Sequence, residues 1–231
     1  RFPLFSQRDS LASDSRSDHR KLRQMTTSAA PKADSIMARL KAGTAAQHAV
    51  AESKPLEAAL IQGSIGHAQY QKYLAQRWLI HRELENATDL ALKSDSRLLS
   101  LQLPTLYQTQ NLETDLAQLK TDLRSIQPLP GASHLIQEIH QAKPATLMGI
   151  YYVFEGSKNG ARYISKSLAK AGQTALRYLD PHGEEQRPLW LKFRADMDAI
   201  DWTATEQDEM VQAAQATFDA ISSLDDAIHA G

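Results

Sequence analysis

The chain has 231 residues, 42% of them hydrophobic, and a formal net charge of −1. That suits one globular domain with a real apolar core, and the near-neutral charge gives no electrostatic reason to expect nucleic acid as a partner. Cysteine is absent, which excludes disulfides, thiolate catalysis and thiolate metal sites. No apolar run approaches the roughly 18 residues a membrane-spanning helix needs, and no apolar leader segment is evident. The expectation is therefore no membrane partner and a cytoplasmic location.

Residues 1–33 differ from the rest of the chain. Arg1 to Gln24 is rich in Ser, Arg and Asp, lacks an apolar period, and reads as a disordered N-terminal extension. Its Arg and Ser content suits a transit peptide, but Asp9, Asp14 and Asp18 argue against one. Met25 is a candidate natural start. Residues 34–231 read as a helical domain. Valine occurs only three times, a poor supply for a sheet core.

Asp34 or Ser35 is placed to cap a helix that carries Ile36, Leu40, Thr44 and His48 along one face. Lys54-Pro55 ends it. A long helix is predicted from about His67 to Lys93, with Tyr70, Leu74 and Leu84 among its apolar positions, and another from about Pro104 to Leu123. Pro128, Pro130 and Gly131 read as a loop. Pro144 opens a helix that carries Tyr151 to Ala171. Asp180-Pro181-His182-Gly183 is a turn, and Pro188 to about Ile200 is helical. Thr203 and Glu206 form a capping box that starts a last helix running to about Ile228. No internal repeat appears. The predicted fold is all-α, a single bundle of about seven or eight helices held by packing of amphipathic faces.

Three constellations stand out. Lys41 and His48 are seven residues, two helical turns, apart, and Glu52 lies one turn beyond the imidazole. A neutral imidazole ligates iron through one nitrogen, and a partner on the other nitrogen fixes its tautomer. Lys41 could pair with an anion. Read alone, this segment is more often a solvated charge face. The second constellation, Gly149 to Arg162, has Gly156 and Gly160 four apart inside an apolar helix. Each glycine costs about 1 kcal/mol there relative to alanine. The bare face admits either a neighbouring helix or a flat ligand. In the third, Trp190 to Met197, Lys192 and Arg194 read first as exposed charges, and Met197 and Phe218 as core. Among the remaining histidines His81, beside Trp78, is the best rival ligand. No Glu-x-x-His occurs, against a di-iron carboxylate bundle, and neither a phosphate-binding Gly-rich loop nor His-Glu-x-x-His is present.

Taken together, these segments resemble haem oxygenase. Leu40 to Glu52 is similar to the family's proximal helix, in which a lysine precedes the haem-ligating histidine by seven residues and a glutamate follows it by four. Tyr151 to Arg162 is similar to the distal helix, in the divergent bacterial form with a Glu-Gly-Ser-x-x-Gly core. The resemblance covers roughly Ile36 to Ile228. It implies haem between proximal and distal helices, with His48 as iron ligand and Glu52 behind it. Lys41, Tyr151 and Arg194 would hold the propionates, Phe218 the haem wall, and Gly156 and Gly160 the close distal approach. Two positions depart from the family: Ser157 stands where an aspartate is common, and Trp190 where a further propionate lysine is common. The implied activity is ring opening of haem, both cofactor and substrate, with O₂ and electrons from an external donor such as ferredoxin or a flavoprotein reductase. The products would be biliverdin, CO and Fe²⁺. Among the catalytic positions Ser157 would only assist proton delivery by ordered water. The alternative is a catalytically silent haem-binding or haem-sensing protein of the same fold. A thiaminase-like relative is disfavoured because it needs a cysteine nucleophile. A purely structural helical module remains the third reading.

Overall fold

The structure, a computed structural model, describes residues 35–230. The proposed extension over 1–33, the candidate start at Met25 and the alternative cap Asp34 lie outside those residues. Nine α-helices and no strand are present among the described residues, as the scarcity of valine suggested.

The first helix, α1 (Ile36–Gly43), is capped by the Ser35 hydroxyl, which accepts from the Ala38 amide at 3.2 Å. It is followed directly by α2 (Ala45–Glu52). One continuous helix was expected here, and the structure bends it at Thr44. The Thr44 hydroxyl donates to the Leu40 carbonyl at 2.7 Å, a back-bond that bends helices. Backbone bonds still cross the bend, from Thr44 to Leu40 at 3.0 Å and from His48 to Thr44 at 2.9 Å. Helix α3 (Pro55–Gln62) starts with proline in its first turn and ends at Gly63, whose left-handed φ of 69° needs no Cβ.

The long α4 (His67–Ser94) matches its predicted span, and its inner face buries Tyr70, Leu74 and Leu84. The helix expected over 104–123 is shorter and preceded by 3₁₀ turns at Ser96–Leu101 and Leu103–Leu106; α5 covers only Thr109–Gln118. The Glu85 carboxylate sets its start, accepting from the amides of Gln108 and Thr109 at 2.6 and 2.9 Å. No local signal marks a cap supplied by another helix. A further correction falls at 128–131. Pro130 and Gly131 are not loop but the first turn of α6 (Pro130–Gln141), where proline lacks only an amide that has no partner anyway.

Helix α7 (Pro144–Lys170) is the other long element. A 3₁₀ turn (Gly183–Glu185) leads into α8 (Gln186–Ala199). Helix α9 (Ala204–Ala230) starts with the expected capping box: Thr203 accepts from the Glu206 amide at 3.2 Å, and the Glu206 carboxylate accepts from the Thr203 amide at 2.8 Å.

Helix α9 is the hub, packing against α1, α2, α3, α4, α6 and α7. Two glycines allow the closest crossings. A Cβ on Gly149 would strike the Met210 carbonyl oxygen, and one on Gly131 would lie 2.6 Å from the Ala220 carbonyl oxygen. A buried ion pair fixes α7 elsewhere. Lys158 Nζ meets Glu155 at 2.5 Å and donates to the Leu106 carbonyl at 3.1 Å, joining α7 to the 3₁₀ turn before α5. Burial pushes the Glu155 pKa up, and the Lys158 charge opposes that.

Urea unfolding tests both contacts. Gly149→Ala overpacks a backbone contact and should cost about 1–3 kcal/mol. Lys158→Met strands a buried carboxylate, a loss on the scale of roughly 3–5 kcal/mol if the carboxylate stays charged. Midpoints unchanged from the parent chain would contradict these packing assignments.

Candidate functional site

His48 lies on α2, which buries none of its own residues although most of them are apolar. Val50, on the same helix, is 51% exposed. Helix α2 is held instead by its ends and neighbours. The Gln215 side-chain amide donates to the Gly43 carbonyl at the bend, at 2.7 Å. At the far end Lys54 pairs with Asp226 at 2.5 Å. This anchored helix leaves the His48 side chain 51% exposed.

The surroundings of His48 suit a ligating imidazole. Its Nδ1 lies 3.6 Å from Glu52 Oε1, on the Glu52 side of the ring but beyond hydrogen-bond distance. Nε2 is then the nitrogen available to a metal. The ring packs edge-on against Phe218, with centroids 5.5 Å apart and planes at 70°. Phe218 on α9 is itself buried. Lys41 is exposed on the last turn of α1, across the bend from His48.

His81, the rival ligand, is a core residue. It is 4% exposed, its ring is packed at 4.7 Å from Phe154 and 5.4 Å from Tyr178, and its Nε2 lies 3.3 Å from the Tyr178 hydroxyl. Burial, reinforced by the positive charges of Lys158 and Arg77, holds its pKa well below the usual histidine range. It is a neutral ring in a closed environment.

The glycines of α7 divide into two kinds. Gly149 serves the crossing with α9. Gly156 touches no other helix's backbone among the described residues: a Cβ there would meet only the indole of Trp190, at an ordinary 3.6 Å. Its bare face is not consumed by helix packing. Gly160 follows one turn later and is half-buried. Ser157 is exposed, and its hydroxyl donates to the Phe154 carbonyl of its own helix at 2.8 Å.

Tyr151, expected at the propionate edge, lies inside the bundle instead. Tyr151 is 3% exposed, and its hydroxyl meets Thr88 Oγ1 at 3.2 Å inside the bundle. Burial drives its pKa well up. Tyr152 is the one that faces the α1–α2 bend and α8. Its ring lies 6.0 Å from that of Trp190, and its hydroxyl lies near Thr44 and within the influence of the Arg194 charge. Burial raises its pKa, while Thr44 and Arg194 pull the other way. The signal was present in the sequence: Tyr152, Gly156 and Gly160 are spaced by four and share a face, whereas Tyr151 does not. Sequence reasoning places Thr44 only on the face of its helix, and gives Trp190 only as the replacement of a propionate lysine.

Thus His48, Glu52 and Phe218 are gathered on one side, and Tyr152, Gly156, Trp190 and Arg194 on the other, with Thr44 at the bend joining α1 to α2. No group of three or more His, Asp or Glu residues that could hold a metal ion occurs among the described residues. No described helix is long and apolar enough to cross a membrane.

Comparison with known proteins agrees with this frame. The family profile for heme oxygenase matches residues 34–224. No curated protein matches the sequence at a significant level. Among solved structures, heme oxygenase from Leptospira interrogans is similar at 20% identity and a TM-score of 0.75, over 83% of this chain and 98% of that one. Heme oxygenase-1 from the cyanobacterium Synechocystis sp. PCC6803, solved in complex with heme, gives 18% identity and a TM-score of 0.76 over 85% and 93%. A domain of unknown function with a heme oxygenase-like fold from Shewanella denitrificans is more distant, at 14% identity and a TM-score of 0.64 over 82% and 90%. The family profile spans most of the described residues, and the chain belongs to the haem oxygenase family.

Proposed function

We propose that this chain binds haem through His48 and opens the macrocycle to biliverdin, CO and Fe²⁺, using O₂ and electrons from an external donor such as a ferredoxin or a flavoprotein reductase. The observation that carries the proposal is the exposed imidazole on an uncovered apolar helix, backed by Glu52 and Phe218. Family membership supplies the chemistry, since haem when bound brings both the redox centre and the carbon that is oxidised.

The protein's part is binding, orientation and proton handling. His48 Nε2 would be the protein's ligand to the iron. Glu52, one turn away at 3.6 Å, would need to draw closer to accept from Nδ1–H and favour the tautomer that leaves Nε2 open. Lys41 and Arg194 supply cations for the propionates, and such charge-assisted contacts set in-plane rotation. Tyr152 replaces Tyr151 as the tyrosine proposed for this edge. Gly156 and Gly160, which present no side chain, would leave room beside bound haem. Ser157 spends its hydroxyl hydrogen on Phe154, so proton delivery falls to water held by backbone groups.

That last feature also favours a second reading, a haem-binding protein of the same fold with little turnover, because no carboxylate occupies the position after Gly156. Product chromatography after haemin and ascorbate in air separates the two: a bilin supports the enzyme, and intact haem the silent binder.

His48→Ala should lose the histidine-ligated absorption spectrum and regain much of it with added imidazole, whereas His81→Ala should keep it. The reverse pattern would sink the ligand assignment. Tyr152→Phe and Arg194→Ala should each change the ratio of biliverdin isomers, and Tyr151→Phe should not. Gly156→Val and Gly160→Val should nearly abolish single-turnover ring opening. Ser157→Ala should cost under about tenfold, the worth of one modest hydrogen bond; a Ser157→Ala block with valine variants still active would reverse the distal roles.

A further inference from the structure

Trp190 lies over the side of α7 that the haem reading assigns to the ligand. Its indole covers the bare face of Gly156, with ring carbons at 3.6 and 3.8 Å from where a Cβ would stand. Optimal carbon–carbon contact is about 3.5–4.0 Å, so a flat ring inserted between backbone and indole needs two such layers, and the gap holds only one. Phe193 lies stacked beside the indole, with centroids 5.8 Å apart and planes at 18°, and Tyr152 flanks it at 6.0 Å. These rings define a resting pose. They do not lock it, because no hydrogen bond to another described residue pins the Trp190 N–H. The other two indoles are pinned: Trp78 donates to Glu113 at 3.3 Å and Trp202 to the Met197 carbonyl at 2.9 Å. Trp190 is also only half-buried, so its ring has solvent to turn into.

Resting on the haem reading, we propose that Trp190 is a gating and seating residue: its indole closes the Gly156 face in the free chain and swings onto the edge of an incoming planar tetrapyrrole. A gate of this kind lowers the association rate by the fraction of time it is shut. Once open, the ring regains aromatic contact against the macrocycle, so the residue slows entry and then helps retain the ligand. A lysine here would do neither, since it could reach a propionate from the rim without covering the glycine.

The test uses the full chain labelled with 5-fluorotryptophan, zinc protoporphyrin as a diamagnetic probe and haemin for kinetics. Trp190→Phe identifies the Trp190 fluorine resonance by its loss. On binding zinc protoporphyrin that resonance should move by ring-current shift more than those of Trp78 and Trp202. In stopped flow, Trp190→Ala should bind haemin roughly three- to tenfold faster, the scale of one aromatic contact, and release it faster as well. Trp190→Phe should fall between. Circular dichroism checks that both variants remain helical. An unchanged association rate in Trp190→Ala, or a Trp190 resonance that stays in place while the Soret band reports binding, overturns the gate and leaves the haem reading standing. Failure of the parent chain to bind either porphyrin overturns both.

Discussion

The close approach of α7 and α9 at Gly149 is the contact on which the site depends. Only a residue without a Cβ lets the Met210 carbonyl come so near. That proximity fixes the spacing of the two longest carriers of functional groups: α9 holds Phe218 against His48, and α7 holds Tyr152, Gly156 and Gly160. The crossing works because the remaining helices lean on the same hub. Helix α9 touches α1, α2, α3, α4, α6 and α7, so a shift of its axis is transmitted to both walls. Interiors packed like crystals leave little slack for such a shift.

The site itself is built by withholding packing. Most of the apolar surface goes into one continuous core from Ile36 to Ile228, yet α2 contributes no buried side chain to it. Exposed apolar surface on a helix is stabilised only when something covers it. Here the bend at Thr44, held by its own back-bond and by Gln215, keeps α2 turned outward. The same principle distinguishes the glycines. Gly131 and Gly149 are filled by neighbouring backbone, while Gly156 meets only a side chain able to turn away.

Polar groups sort in the same manner. His81, Glu155 and Lys158 are buried with partners of their own, and this makes them structural. The Glu of the Glu-Gly-Ser-x-x-Gly segment belongs to this class, because its carboxylate faces Lys158. His48, Lys41 and Ser157 are exposed. Exposure, together with what stands behind the ring, separates the outward-facing His48 from the core histidine His81 more sharply than spacing does.

The sequence by itself determined the helical class, the long spans at 67–94 and 144–170, the capping box at Thr203 and Glu206, and the geometry of His48 with Glu52, because each depends on residues within two turns of one another. Spacing by four also contained the Tyr152–Gly156–Gly160 face. Tertiary structure decided what depends on partners distant in the chain. The start of α5 is set by Glu85 from another helix. The helical state of Pro130-Gly131 is favoured by the fit of Gly131 to α9. The choice between Tyr151 and Tyr152 is made by which side of α7 packs into the core, and the placement of Trp190 over Gly156 by how α8 crosses α7. Local periodicity gives a helix its faces; only the crossings say which face meets the core and which is left facing outward.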